Sequence, residues 1–229
     1  MPEPIIGISS MATRQVLAEL AASYERRTGQ PVAIESVGGV DAARRVKNGE
    51  VFDIVVLAAD AIERLALAGR VDPASRIAFA RSGMAVAVAA GEMHPDIGSE
   101  AALREAILGA RSIGYSTGPS GTHLLSLLER LGIAGSVAPR LVKAPPGVPV
   151  GALVARGDVA LGFQQLSELI HVSGIDVLGA LPDSLQSITT FTAAICTATR
   201  RREAAQVWLS SLISREADGA KRENGMMPA

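Results

Sequence analysis

Short apolar, β-branched runs alternate with amphipathic stretches over the first third of this chain, and each stretch is closed by a glycine. That alternation limits the possible folds more than any other feature. Ile5–Ile8 reads as a strand. From Thr13, the residues Val16, Leu17, Leu20, Ala21 and Tyr24 recur at helical spacing along one face. Gly29 ends that helix and Pro31 prevents its resumption. Pro31–Val37 reads as a second strand, Gly38-Gly39 as a turn and Asp41–Asn48 as a short basic helix. Asp53–Leu57 is then a third strand, and Asp60–Ala68 a helix stopped by Gly69. Strands and helices at this spacing imply βαβ units, hence an α/β fold around a parallel-rich sheet. Only 3% of residues are aromatic and 48% are hydrophobic, so the core is built from Ala, Val, Leu and Ile, which suits helices on parallel strands.

The pattern then changes. Met84–Ala90 reads as a strand with no long helix before it. Ser99 can cap a helix over Glu100–Leu108. A strand at Ser112–Tyr115 leads through the loop Ser116–Gly121 into a helix over Thr122–Leu131. Val150–Arg156 is a short helix, Val159–Phe163 a strand with Gln164-Gln165 after it, and Val177-Leu178 a last strand of this part. Ser187–Ala198 reads as one long strand, and Arg202–Ile213 as a terminal helix with Trp208 on its apolar face. Two compact units, one inserted in the other, fit this order better than one domain. The expected division is residues 1–78 with 187–229 as a discontinuous first lobe and residues 79–186 as the second. Two chain crossings make a hinge with a cleft between the lobes, and ligands of α/β proteins sit outside the carboxyl ends of strands.

Charge and cysteine content narrow the partners. The formal net charge is −1, so no basic excess exists to neutralise a nucleic-acid backbone. An anion site must therefore be local. Cys196 is the one cysteine; it forms no intramolecular disulfide and belongs to no Cys/His cluster of zinc spacing, and it reads as a small core thiol. The longest apolar run, Met84–Ala90, is too short to span a bilayer. No leader precedes Ile5, which implies a cytoplasmic chain; a leader removed beforehand would place it in the periplasm.

Five segments and one histidine are placed to carry chemistry, most with a plainer structural reading beside them. Ser9 and Ser10 stand between a strand and a helix, where hydroxyls and free N–H groups suit an anion; otherwise they are an ordinary cap. Ser116–Thr122, including Ser120, Gly121 and Thr122, repeats that layout later in the chain. It lacks the Gly-Lys-Ser/Thr ending of a nucleotide-phosphate loop. Gly38 and Gly39 offer a bare backbone wall against a ligand, or a tight turn. Arg81, with Arg76 as a competing candidate, can pair with a carboxylate or oxyanion, and either can simply be solvated. Gln164 and Gln165 put two amides after a buried strand, or form its polar end. His123 opens a helix and is a candidate base, though a surface histidine there is commoner.

In order along the chain, Ser9-Ser10, Asp53-Ile54-Val55, Ser120-Gly121-Thr122, Gly157-Asp158 before Gly162-Phe163-Gln164-Gln165, and Gly225-Met226-Met227-Pro228 resemble the molybdate-type extracellular solute-binding proteins. The resemblance spans nearly the whole chain and implies the two-lobed type II periplasmic-binding-protein fold. It implies oxyanion capture without a metal or other cofactor. The contacts would come from Ser9 or Ser10, the Ser120–Thr122 turn and Val150. It also implies a monomer whose partner, if it is exported, is an ABC transporter permease. Two positions depart from that pattern. Gly38-Gly39 stands where molybdate binders place a second serine, and Phe163-Gln164 near where they carry a tyrosine. The stretches Gly162–Leu169 and Arg81–Met84 are closer to a branch that includes aconitate isomerase, whose ligand is a small polycarboxylate. Two functions therefore stand: a small-anion binding protein, and an isomerase of an unsaturated tricarboxylate.

Overall fold

The helical face that begins at Thr13 is the face the chain buries: Val16, Leu17, Leu20, Ala21 and Tyr24 are the buried residues of α1 (Arg14–Thr28), which Gly29 closes in a left-handed conformation. The computed structural model describes residues 2–145 and 147–229. In chain order, β1 is Ile5–Ser10, β2 Val32–Val37, α2 Gly39–Lys47, β3 Ile54–Ala58, α3 Ala59–Leu67 and β4 Ile77–Ala89. Then come α4 (Glu100–Gly109), β5 (Ile113–Tyr115), α5 (Pro119–Arg130), α6 (Ala134–Val137), β6 (Leu141–Lys143), α7 (Val150–Ala155) and β7 (Leu161–Gln165). The chain ends with α8 (Leu166–Leu169), β8 (Ile175–Ala180), β9 (Ile188–Ile195), α9 (Arg202–Leu212), α10 (Asp218–Glu223) and β10 (Met227–Pro228). It divides into two compact units, one running up to Ser82 and resuming from Thr189, the other Gly83–Ile188.

The sheet of the first unit follows the order β2-β1-β3-β9-β4. β1 runs parallel to β2 and β3, β9 antiparallel to β3, and β10 antiparallel to β4. The sheet is thus mixed. β9 enters from the inserted unit, not through a helical crossover, so nothing obliges it to run parallel. Both faces are covered. Ile54 and Val56 of β3 face a layer that includes α1 and α9, where Trp208 meets Tyr24 edge-on at 4.9 Å. Val55 and Leu57 face Ile62 and Leu65 of α3 and Val46 of α2. Burial on both faces is the reason β3 reads as an unbroken apolar run.

In the second unit β5 lies between β6 and β7, parallel to both. The second half of β4 pairs antiparallel with β7 and β8. One face packs Phe163 and Ile113 against Leu103, Leu124 and Leu128, and α7 covers the other with Val150 and Val154. Ser99 Oγ accepts the Ala102 N–H at 3.1 Å and so caps α4.

Several boundaries differ from those read in the sequence, and they shift the candidate residues. β1 continues through Ser9 and Ser10, and a single 3-10 turn, Met11–Thr13, precedes α1. Gly38-Gly39 is not a free turn: Gly38 is the N-cap of α2 and Gly39 its first residue. α5 starts at Pro119, whose fixed φ suits a first helical position, so Ser120, Gly121 and Thr122 lie in its first turn. β4 starts at Ile77 and contains Arg81. β7 carries both glutamines as buried strand residues. Among the described residues, no helix is long and apolar enough to cross a membrane.

Candidate functional site

In the first unit β1, β2 and β3 run parallel, so their carboxyl ends lie at one edge of the sheet, Ser9 opposite Ser36 and Val56. A helix starts after each of them. The N-caps Thr13, Gly38 and Ala58 of α1, α2 and α3 make no side-chain cap hydrogen bond. The first N–H groups of a helix have no intrahelical acceptor and carry the positive end of its dipole. At α1 the Arg14 N–H already donates to the Met11 carbonyl, so the starts at this sheet edge that best suit an anion are those of α2 and α3.

Ser9 and Ser10 divide the work there. Ser9 Oγ shares a 2.8 Å hydrogen bond with Ser36 Oγ and lies 3.3 Å from the Ser10 carbonyl, so it is engaged within the unit. The Ser10 carbonyl also accepts from Thr13 Oγ1 at 3.0 Å. The Ser10 hydroxyl is buried, with the residue 8% exposed, and has no hydrogen-bond partner among the described residues. Gly39 stands beside it: a Cβ there would lie 3.5 Å from Ser10 Cβ. Arg81, in the same unit, is exposed and donates through Nε and Nη2 to the Pro228 carbonyl at 3.3 and 3.0 Å.

The second unit repeats the arrangement with different chemistry. Ser116 follows β5. Its Oγ shares a 3.1 Å hydrogen bond with the buried Ser120 Oγ and accepts the Gly118 N–H at 3.3 Å. Gly121 is obligatory, because a Cβ would meet the Ser116 carbonyl oxygen far inside van der Waals contact. Thr122 is exposed and reaches the Gly118 carbonyl at 3.5 Å. Val150 opens α7, yet its N–H donates to Gln164 Oε1 at 2.8 Å. Gln164 Nε2 in turn donates to Glu168 Oε1 at 2.8 Å. Both polar ends of Gln164 are thus engaged inside the unit, and Gln165 beside it is buried with a partner of its own. His123 Nε2 donates to the Leu185 carbonyl at 2.8 Å.

Glu168 went unnoticed in the sequence. It is half-buried on α8, and burial pushes its carboxyl up to about 7, against the opposing effect of the Gln164 hydrogen bond. A signal existed: it is the sole charged residue between Asp158 and His171. Among the described residues there is no cluster of His, Cys, Asp and Glu fit for a metal ion. A surface hollow of about 590 Å³ on the second unit, lined in part by His94, Asp96 and Asp183, contains none of the candidate residues.

Residues 7–227 match the family profile described as bacterial extracellular solute-binding protein. An aconitate isomerase from a Pseudomonas species is 35% identical over 227 residues, covering 96% of this chain and 86% of that protein. Among solved structures, the periplasmic molybdate-binding protein of Azotobacter vinelandii superposes with a TM-score of 0.82 at 22% identity, over 97% of this chain and 98% of that one. The sulfate-binding protein of Mycobacterium tuberculosis does so with a TM-score of 0.76 at 18% identity, over 100% and 88%.

Proposed function

Since the chain belongs to the bacterial extracellular solute-binding protein family, we propose that it binds a small anion through hydroxyls and backbone N–H groups at helix starts, together with Arg81. The observation that carries this reading is the Ser10 hydroxyl, buried without a partner where three helices start without side-chain caps. A buried hydroxyl left unpaired costs stability; an anion oxygen would satisfy it. The proposed ligand set is Ser9, Ser10, Gly38, Gly39 and Arg81 in one unit and Ser120, Gly121, Thr122, Val150, Gln164 and Gln165 in the other. Gln164 accepts the Val150 N–H and donates to Glu168, so an anion at Val150 would replace the Gln164 amide there. As a receptor the protein would work as a periplasmic monomer that serves an ABC transporter permease.

The test is a thermal-shift series with molybdate, tungstate, sulfate, phosphate, citrate, cis-aconitate and trans-aconitate. A ligand at a hundred times its Kd stabilises the fold by about 2.7 kcal/mol. Ser10→Ala is expected to leave the melting temperature of the free protein unchanged or slightly raised, and to weaken binding about tenfold or more. No shift with any of these anions at millimolar concentration would remove the reading.

A second reading has its own support. The 35% identity to an aconitate isomerase over almost the whole chain favours an enzyme that moves the double bond of an unsaturated tricarboxylate. The Val150 N–H, which a compact oxyanion would need, is already taken by Gln164. Incubation with trans-aconitate, followed for cis-aconitate by NMR, separates the two. Turnover makes the protein an isomerase; tight molybdate binding without turnover makes it a receptor.

A further inference from the structure

The line from the Val150 N–H through Gln164 to Glu168 is directional. A backbone N–H can only donate, so Gln164 presents Oε1 to Val150 and Nε2 to Glu168, and the carboxyl is the terminal acceptor. That amide is the one hydrogen-bond partner of Glu168 among the described residues, and it serves a single carboxyl oxygen, Oε1. Among the described residues no cation is shown paired with the group. α7, β7 and the rest of α8 carry no charged residue, and Asp176 of β8 is occupied by the Gly91 N–H and His94. A carboxyl held by one oxygen, half-buried and unpaired with a cation, is arranged to exchange a proton and not to anchor a salt bridge. The other candidate base, His123, has its Nε2 proton committed to the Leu185 carbonyl.

We propose that Glu168 is the proton-transferring residue of this protein, taking a proton from a carbon next to a carboxylate of the bound ligand and returning it two carbons away. The proposal rests on the isomerase reading above. For an unsaturated tricarboxylate, Glu168 Oε2 removes a proton from the saturated CH2 carbon. The electron pair of that C–H bond becomes the new C=C bond to the central carbon. The former C=C pair moves to the outer vinyl carbon, where its carboxylate stabilises the charge. The Glu168 O–H then delivers its proton to that carbon. One C–H bond is broken and one formed, the double bond has moved one position, and the carboxylate is regenerated with nothing oxidised or reduced. Gln164 Nε2 keeps an acceptor throughout, because the protonated acid still offers its carbonyl oxygen. The desolvation that raises the group to about 7 matches a base that must also act as an acid near neutrality.

The test is Glu168→Gln, which keeps the volume and an acceptor for Gln164 but cannot carry the proton. Trans-aconitate binding, read by thermal shift, should stay within about threefold of wild type. Exchange of the ligand's methylene protons with D2O and the trans-to-cis conversion, both read by NMR, should fall at least a hundredfold. Glu168→Asp, which keeps a carboxylate on a shorter arm, should retain measurable exchange; it also serves if the Gln variant does not fold. Exchange and turnover at the wild-type rate in Glu168→Gln would overturn the proposal and leave the isomerase reading standing. A wild-type protein that binds trans-aconitate but neither exchanges nor isomerises it would overturn both.

Discussion

Gly121 has less room for a side chain than the other glycines of the serine turns, Gly38, Gly39 and Gly118. A methyl group there would run into the Ser116 carbonyl oxygen, which is backbone and cannot swing aside. Gly121→Ala is expected to destabilise the fold by about 2 kcal/mol or more, read as a lower urea midpoint. Glu168 gives a prediction of a different kind. Burial raises its carboxyl from the ordinary 4.5 to about 7, so the folded protein holds this proton more tightly than the unfolded chain. Its contribution to stability is fully present below about pH 4.5 and is lost as the pH rises through about 7. Glu168→Gln removes that loss. The stability of the variant relative to wild type should therefore climb between pH 5 and pH 8, by about 1–3 kcal/mol once partial solvent exposure is allowed for; denaturant titrations at several pH values measure it. At this scale the sequence was legible for type and not for partner. It exposes Gln164 as an amide beside a strand, but the residues that occupy its two ends are Val150, fourteen positions earlier, and Glu168, four positions later within α8. No local pattern announces that pairing.

Caps distinguish two serines that look alike in the sequence. Ser99 accepts the Ala102 N–H at the start of α4, whereas Ser10 makes no cap hydrogen bond at all. Ser99→Ala should cost about 1 kcal/mol in unfolding free energy, and Ser10→Ala should cost nothing in the free protein. Equal losses from both would contradict the contrast between them. Element legibility follows length. α1 repeats its apolar spacing over fifteen residues, long enough for periodicity to single out the five buried positions. α8 has four residues and α10 six, too few turns to register a period. The start of α5 was misread because Ser116–Gly121 has loop composition, while Pro119 in fact opens the helix. The early start of β4 is hidden by Arg81, a charged residue in an exposed position, and by the polar Ser82 beside it.

The unit Gly83–Ile188 owns both of its core layers, whereas the first unit draws its core from both ends of the chain. Ile54 and Val56 share a core with Phe191, Ala193, Ile195, Trp208 and Leu212. A fragment of residues 83–188 should therefore melt cooperatively by itself, while a fragment ending at Ser82 should not, as circular dichroism would show. A cooperative transition in the shorter fragment would mean that the late segment is dispensable to that core. The pairing of β3 with β9 also sets a clock. During translation β3 leaves the ribosome with four of its five residues destined for burial, while the strand that will close its edge is still about 130 residues (58 to 188) from being made. At about 5–20 residues per second, that edge stays open for about 7–26 seconds. In that interval a nascent chain is most open to chaperone capture or to pairing with a neighbour on the same message. A circular permutant that starts at Ser187, just ahead of β9, would have that strand already made when β3 emerges and would remove the wait.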